Sequence, residues 1–312
     1  MRQLGIRAEI TWLPLRAEYA PWTVPIPQAP TWATIAHVNT WLHTRFLPPK
    51  LPIVATIHHA VHHPDTRIHK STARAIYHRW WIAPNERRVL RLSAQVVAVS
   101  QFAASSTRQA VLNIPLQVIY NGVDTTSFCP SPASRPSGTP FRLLYVGSWK
   151  PLKGVGLLPT ILRELGDGFE LHYTGGPAAE NDKPHMPPNM HDIGRLQGDA
   201  AVAKAMQQAD ALLFPSKSEG FGLVAAEAMA CGLPVVAARS TSLEELIIDG
   251  QTGILCPIDD AVAFANSIRA LCKDSAKRDR LSHAGRARAI NQFSEELMLA
   301  SHLKLYRTLL KP

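Results

Sequence analysis

Beyond residue 140 the chain alternates short apolar runs with longer amphipathic stretches, and this alternation constrains the fold more than any other feature. Runs at 142–146, 170–174, 190–193, 211–214, 234–238 and 253–256 have strand length and composition. Stretches at 154–165, 200–208, 221–231, 243–248, 260–272 and 275–291 carry helical spacing. Parallel strands need a crossover, and a helix usually supplies it, so the pattern predicts βαβ units around a parallel sheet. The helix predicted to end at Cys231 meets Gly232 and then Pro234, a strong stop signal.

The first part of the chain repeats the pattern more weakly. Strands are expected at 7–12, 34–38, 52–57, 95–99 and 116–120, and helices at 69–80 and 84–92. Between the two parts, residues 130–140 (PSPASRPSGTP) have the Pro, Ser and Gly content of a linker. At 312 residues the chain exceeds one ordinary core, and two α/β domains are expected. We assign 1–133 to the first, 134–291 to the second, and 292–312 to a last helix returning to the first. Paired domains of this kind place ligands outside the carboxyl ends of their strands.

Composition narrows the function classes. With 46% hydrophobic residues the chain can bury a core, which excludes a disordered protein. No apolar run reaches the roughly 18 residues of a membrane-spanning helix. The opening Met1-Arg2-Gln3-Leu4-Gly5 has no apolar signal region, so a cytoplasmic protein, at most peripheral on the inner membrane face, is expected. The four cysteines form no C-x-x-C pair, which argues against a disulfide framework or a zinc knuckle. Residues 1–130 hold 13 Lys+Arg against 5 Asp+Glu, or +8, whereas the remainder is balanced to +1. The basic part suits an anionic acceptor or an anionic membrane surface better than nucleic acid, which is not expected.

The stretch most suggestive of chemistry is 215–234, PSKSEGFGLVAAEAMACGLP. A strand ends at Phe214, a polar loop with Ser216 and Glu219 follows, and Gly220-Phe221-Gly222 open a helix through Leu223. Free N–H groups at a helix start attract anions, and glycines let a ligand approach the backbone. Glu227 sits among alanines and valine, where a buried carboxylate is costly unless hydroxyls or N–H groups bond to it. The plainer alternative is that it faces water.

This segment closely resembles the E-x(7)-E signature of family-4-type retaining glycosyltransferases. The resemblance implies a GT-B fold, in which two Rossmann-like domains face each other across a cleft. It also implies roles. Glu219 would bind a hydroxyl of the donor sugar. Gly220, Phe221, Gly222 and Leu223 would offer backbone N–H groups to sugar or diphosphate, with Ser216 beside them. Glu227 would hold the ribose of a UDP- or GDP-sugar. Leu144-Tyr145-Val146-Gly147 and the loop through Gly154 resemble the family's strand and basic loop, which aligns Lys153 with the lysine that neutralises the diphosphate. Where that motif often has Arg this chain has Ser148, and Lys150 is the candidate replacement. No metal or other cofactor is implied. The transfer implied is front-face, through an oxocarbenium-like state.

Three further segments carry the resemblance. Residues 118–124 with Phe128 match the motif closing the first domain, 97–100 match the strand before it, and 245–253 match an architectural segment. In the first domain, 54–58 resembles a strand ending in a cleft-facing histidine, His58, which would bond the sugar or move the acceptor's proton. The run His58, His59, His62, His63 also invites a metal reading, but no Cys or Glu lies near it. Arg67–Arg91 mixes arginines with Trp80 and Trp81, fitting either a membrane interface or a solvated helix that turns its tryptophans inward. Family members usually open with a strand and a glycine-rich loop. Gly5 is the only glycine before Gly122 here, so that first strand and loop are expected to be missing and activity of this chain reduced. The rival functions are a nucleotide-sugar-binding remnant without turnover and a sugar-nucleotide epimerase of the same fold.

Overall fold

The computed structural model describes residues 5–59, 71–131 and 140–310. The chain divides into two compact units, one of Met1–Tyr120 with Glu296–Pro312 and one of Asn121–Glu295. The division falls at Tyr120, ahead of the Pro-rich stretch, most of which lies outside the described residues.

The first unit is built on a parallel sheet of β1 (Ala36–Asn39), β2 (Ile53–Ile57), β3 (Gln95–Ala98) and β4 (Gln117–Val118), in that spatial order. β2 reads IVATI and is buried throughout, as a central parallel strand covered on both faces must be. β1 is an edge strand and alternates half-buried with exposed residues. Val54, Val97 and Ile119 pack with Leu305 from the last helix of the chain, Glu295–Leu309, and Ile35, Met298, Tyr306 and Leu309 close the cluster.

Three expectations for this unit need correction. Residues 7–12 form no strand, and Ile10 and Trp12 are 72% and 85% exposed. Their alternation finds no strand to bond among the described residues, where β1 pairs with β2 alone. Helix 69–80 instead begins after Ser71, whose Oγ accepts from Arg74 N–H, as α1 (Thr72–Tyr77). It passes through a π-helical turn, His78–Ile82, into α2 (Ala83–Leu92). The two tryptophans divide: Trp81 donates to Glu18 O at 2.7 Å, while Trp80 is 70% exposed. A helix not foreseen, α3 (Gln101–Ala110), starts where Ser100 Oγ accepts from Ala103 N–H.

The second unit has six parallel strands: β5 (Phe141–Tyr145), β6 (Phe169–Tyr173), β7 (Met190–Asp192), β8 (Ala211–Phe214), β9 (Val235–Ala238) and β10 (Ile254–Cys256). Their spatial order is β10-β9-β8-β5-β6-β7. The chain winds outward from β5 to β7, returns beside β5 as β8, and winds out the other way. The direction therefore reverses between β5 and β8, which is where a doubly wound sheet opens a crevice. Helices α4 (Leu158–Leu165), α5 (Gly198–Gln207), α6 (Leu223–Ala230), α7 (Leu243–Leu246), α8 (Ala261–Lys273) and α9 (Ser275–Phe293) connect and cover the strands. On one face Leu143, Tyr145, Leu171 and Tyr173 pack with Ile161 and Leu162 of α4 and Phe264 and Ile268 of α8.

The expected strands of this unit are present within a residue or two. Two helices start late. The one predicted from 154 opens with 3-10 turns at Pro151–Lys153 and Val155–Leu157 before α4. The one predicted from 221 opens at Leu223, because Gly222 takes φ +97°. All four cysteines are free thiols.

Candidate functional site

The loops leaving β5 and β8 meet at the reversal point of the second sheet. Gly154 holds φ +72°, and a Cβ there would lie 2.0 Å from Pro215 O, so only glycine permits this approach. Lys217 N–H donates to Leu152 O at 3.0 Å, tying the loops together. The result brings Lys153 to Glu219: Nζ lies 2.7 Å from Oε1, with the side chains 27% and 10% exposed.

A third loop, after β9, supports the second. Ser240 Oγ donates to the carbonyl of the buried Ser216 at 2.8 Å. Glu219 N–H donates to Thr241 Oγ1 at 2.9 Å, and Ser242 Oγ donates to Glu219 O at 3.0 Å. Thr241 has φ 44°, a left-handed conformation that costs a β-branched residue energy and persists only where its surroundings enforce it. Sequence reasoning missed these three residues. The available signal was a Ser-Thr-Ser run directly after a strand.

α6 begins beside this pair. Gly220 is buried, Phe221 packs against the Phe293 ring at 5.5 Å, and Leu223 is 43% exposed. Among the described residues no side chain caps the helix, which leaves its first N–H groups to a ligand. Glu227 is half-buried on α6, and its side chain has no hydrogen-bond partner among the described residues. Burial, with Asp199 adding like charge, pushes its carboxyl up to about 7. Such a group gains strongly from a ligand that donates hydrogen bonds. Lys150 is exposed and makes no ion pair with a described residue.

In the first unit His58 follows β2 at its carboxyl end. It is open to solvent on part of its surface, and desolvation of the rest, then His59 and His302, lower its pKa. His59 is exposed, whereas His62 and His63 lie outside the described residues. A histidine not foreseen, His37 on β1, is held on both ring nitrogens. Nδ1 lies 2.5 Å from the Tyr306 hydroxyl and Nε2 2.5 Å from Thr56 Oγ1. Desolvation, then His302 and His58, lower its pKa; part of the residue remains open to solvent, which moderates the shift without changing its sign. No signal in the sequence joins His37 to a tyrosine 269 positions away. No helix among the described residues is long and apolar enough to cross a membrane.

Two Rossmann-like α/β units, one with a cation–carboxylate pair and an uncapped helix at its reversal point, define the GT-B class. The model of glycosyl transferases group 1 matches residues 131–288, and that of glycosyltransferase family 4 matches residues 26–127. The chain belongs to the glycosyl transferases group 1 family. It is 32% identical over 201 residues to a glycogen synthase of Mycobacterium tuberculosis, covering 61% of this chain and 48% of that protein. It is 31% identical to the MMP alpha-(1->4)-mannosyltransferase of Mycolicibacterium hassiacum, covering 82% and 65%. The chain thus spans about half the length of the glycogen synthase it matches. Among solved structures, sucrose-phosphate synthase from Thermosynechococcus elongatus superposes with a TM-score of 0.75 at 24% identity, covering 88% of this chain and 73% of that one. Anabaena HepE in complex with UDP and glucose superposes at 0.69 and 22%, covering 83% and 72%. At those identities the structures speak to the fold alone.

Proposed function

We propose that the protein moves a sugar from a UDP- or GDP-sugar to an acceptor hydroxyl with retention of anomeric configuration. The observation that carries this reading is the Lys153–Glu219 pair at 2.7 Å, set between the β5 and β8 loops at the head of α6. The leaving diphosphate gains negative charge as the glycosidic bond breaks. Lys153 and the open N–H groups of Gly222 and Leu223 neutralise that charge, and Lys150 adds to the field. Glu219, aimed by Thr241 and Ser242, exchanges its bond to Lys153 for one from a sugar hydroxyl. Glu227 takes the ribose hydroxyls that its unpartnered carboxyl favours. In the first unit His58 is assigned the sugar hydroxyl or the acceptor proton.

No metal enters this scheme, because the ammonium and the helix start supply the positive charge. The acceptor is assigned as a sugar or lipid-linked sugar in cell-surface polysaccharide or glycolipid synthesis. The excess of 13 Lys+Arg over 5 Asp+Glu in residues 1–130 favours an anionic acceptor or membrane face. The test is a transfer assay with UDP- and GDP-sugars, reading product anomer by NMR. Transfer insensitive to EDTA, with the donor's anomeric configuration kept, supports the scheme. Donor binding without transfer to any sugar or lipid-linked acceptor refutes it, as does an inverted product.

A further inference from the structure

The second unit holds a cluster of metal-ligating side chains that the transfer scheme does not use. Glu170 and His172 lie on β6, and His191 lies on the edge strand β7. In the parallel register His172 stands opposite His191, and strand pleating puts Glu170, two residues before His172, on the same face. That face is the reverse of the one where Leu171 and Tyr173 enter the core. Each of the three residues offers a ligand atom, and these atoms lie within 4.8 Å of one another. His172 Nε2 is 3.5 Å from Glu170 Oε1, and His191 Nε2 is 4.0 Å from Oε2. A tetrahedral ion with bonds of about 2.0–2.1 Å needs ligand atoms about 3.3 Å apart, so a contraction of about 1.5 Å or less, within reach of side-chain rotation, closes the site.

We propose that Glu170, His172 and His191 bind one transition-metal ion of the zinc class, clamping the edge strand β7 to β6. Two imidazoles and one carboxylate are a donor set that zinc and its neighbours accept and that magnesium and calcium do not favour. Rigid strands hold the three side chains, so little ordering cost remains to be met on binding. Arg142 Nε donates to Glu170 Oε1 at 2.5 Å, which fixes the carboxylate's orientation and leaves Oε2 turned to His191. Its positive charge weakens the site without removing a ligand. The cluster starts at the second residue of β6, whereas the Lys153–Glu219 pair sits in loops after the carboxyl ends of β5 and β8. Loss of the ion therefore leaves the transfer reading untouched, and the two ideas fail separately.

The test uses the full chain, stripped with chelator and then titrated with Zn²⁺ by equilibrium dialysis and with Co²⁺ by visible absorption. The comparison is with His191→Gln, at an exposed position, and with the His172→Gln/His191→Gln pair, each checked by circular dichroism for an unchanged fold. The parent should bind one more equivalent of ion than the double variant, and His191→Gln should weaken that equivalent about tenfold or more. Zn²⁺ should raise the parent's Tm more than that of either variant. A His59→Gln control should keep the extra equivalent, separating this site from the histidine run after β2. Equal stoichiometry and equal affinity in parent and double variant would overturn the proposal.

Discussion

The two units share an architecture and differ in how they hold their polar groups. In the second unit three loops converge on Glu219, with Lys153 on its carboxylate and the loop after β9 on its backbone, whereas Glu227 on α6 has no side-chain partner among the described residues. In the first unit His37 has both ring nitrogens bonded within the unit, to Thr56 and Tyr306. A centre that fills its own hydrogen bonds stabilises a fold. One that leaves a costly group open is prepared for a ligand.

The sharpest way to break this contrast is Glu219→Ala. Transfer should fall about 100-fold or more, the scale of losing one preorganised polar group at a developing charge, with circular dichroism unchanged. Unchanged turnover would remove the site from the mechanism. Gly154→Ala should come next. The added methyl meets Pro215 O and the backbone must leave φ +72°, so the second unit should lose about 1–3 kcal/mol or more in urea unfolding, and donor affinity should drop with it.

The pH dependence should run in opposite directions in the two units. Glu227 holds its proton more tightly when folded, so its contribution is full below about 4.5 and is lost as pH rises through about 7. His37 holds its proton less tightly when folded, so its contribution is present above 6.5 and fades as pH falls below it. Hydrogen exchange across pH 4–8 should show the helix carrying Tyr306 loosening in acid and α6 loosening towards pH 8. Glu227→Gln should abolish only the second trend. Nucleotide-sugar binding near pH 7 should release protons from Glu227, read as a dependence of calorimetric heat on buffer ionisation enthalpy. The smallest effect expected is for Thr241→Val, which removes the acceptor for Glu219 N–H: about 1 kcal/mol, seen mainly in donor affinity.

The second unit was legible because β8, β9 and β10 are continuous apolar runs and its loops carry glycines at positions that backbone geometry demands, Gly154 and Gly222. The donor loop could be read from 215–234 because the residues it brings together are close in sequence. The supporting Ser240, Thr241 and Ser242 were not, since a hydroxyl's partner across two loops leaves no periodicity. The first unit misled at residues 7–12, where alternation suggested a strand that has no neighbour to pair with among the described residues. α3 was overlooked because its face is made of Ala, Ser and Thr, a weak apolar signal.

Local order determined the doubly wound sheet, the two loops at its reversal and the acids at 219 and 227, because apolar period, glycine placement and helix stops act over a few residues. Only the tertiary structure decided that Lys153 faces Glu219, that His37 meets Tyr306, and that Glu170, His172 and His191 share one face. Those pairings depend on strand register and loop approach, which packing sets across tens to hundreds of residues and no local pattern encodes.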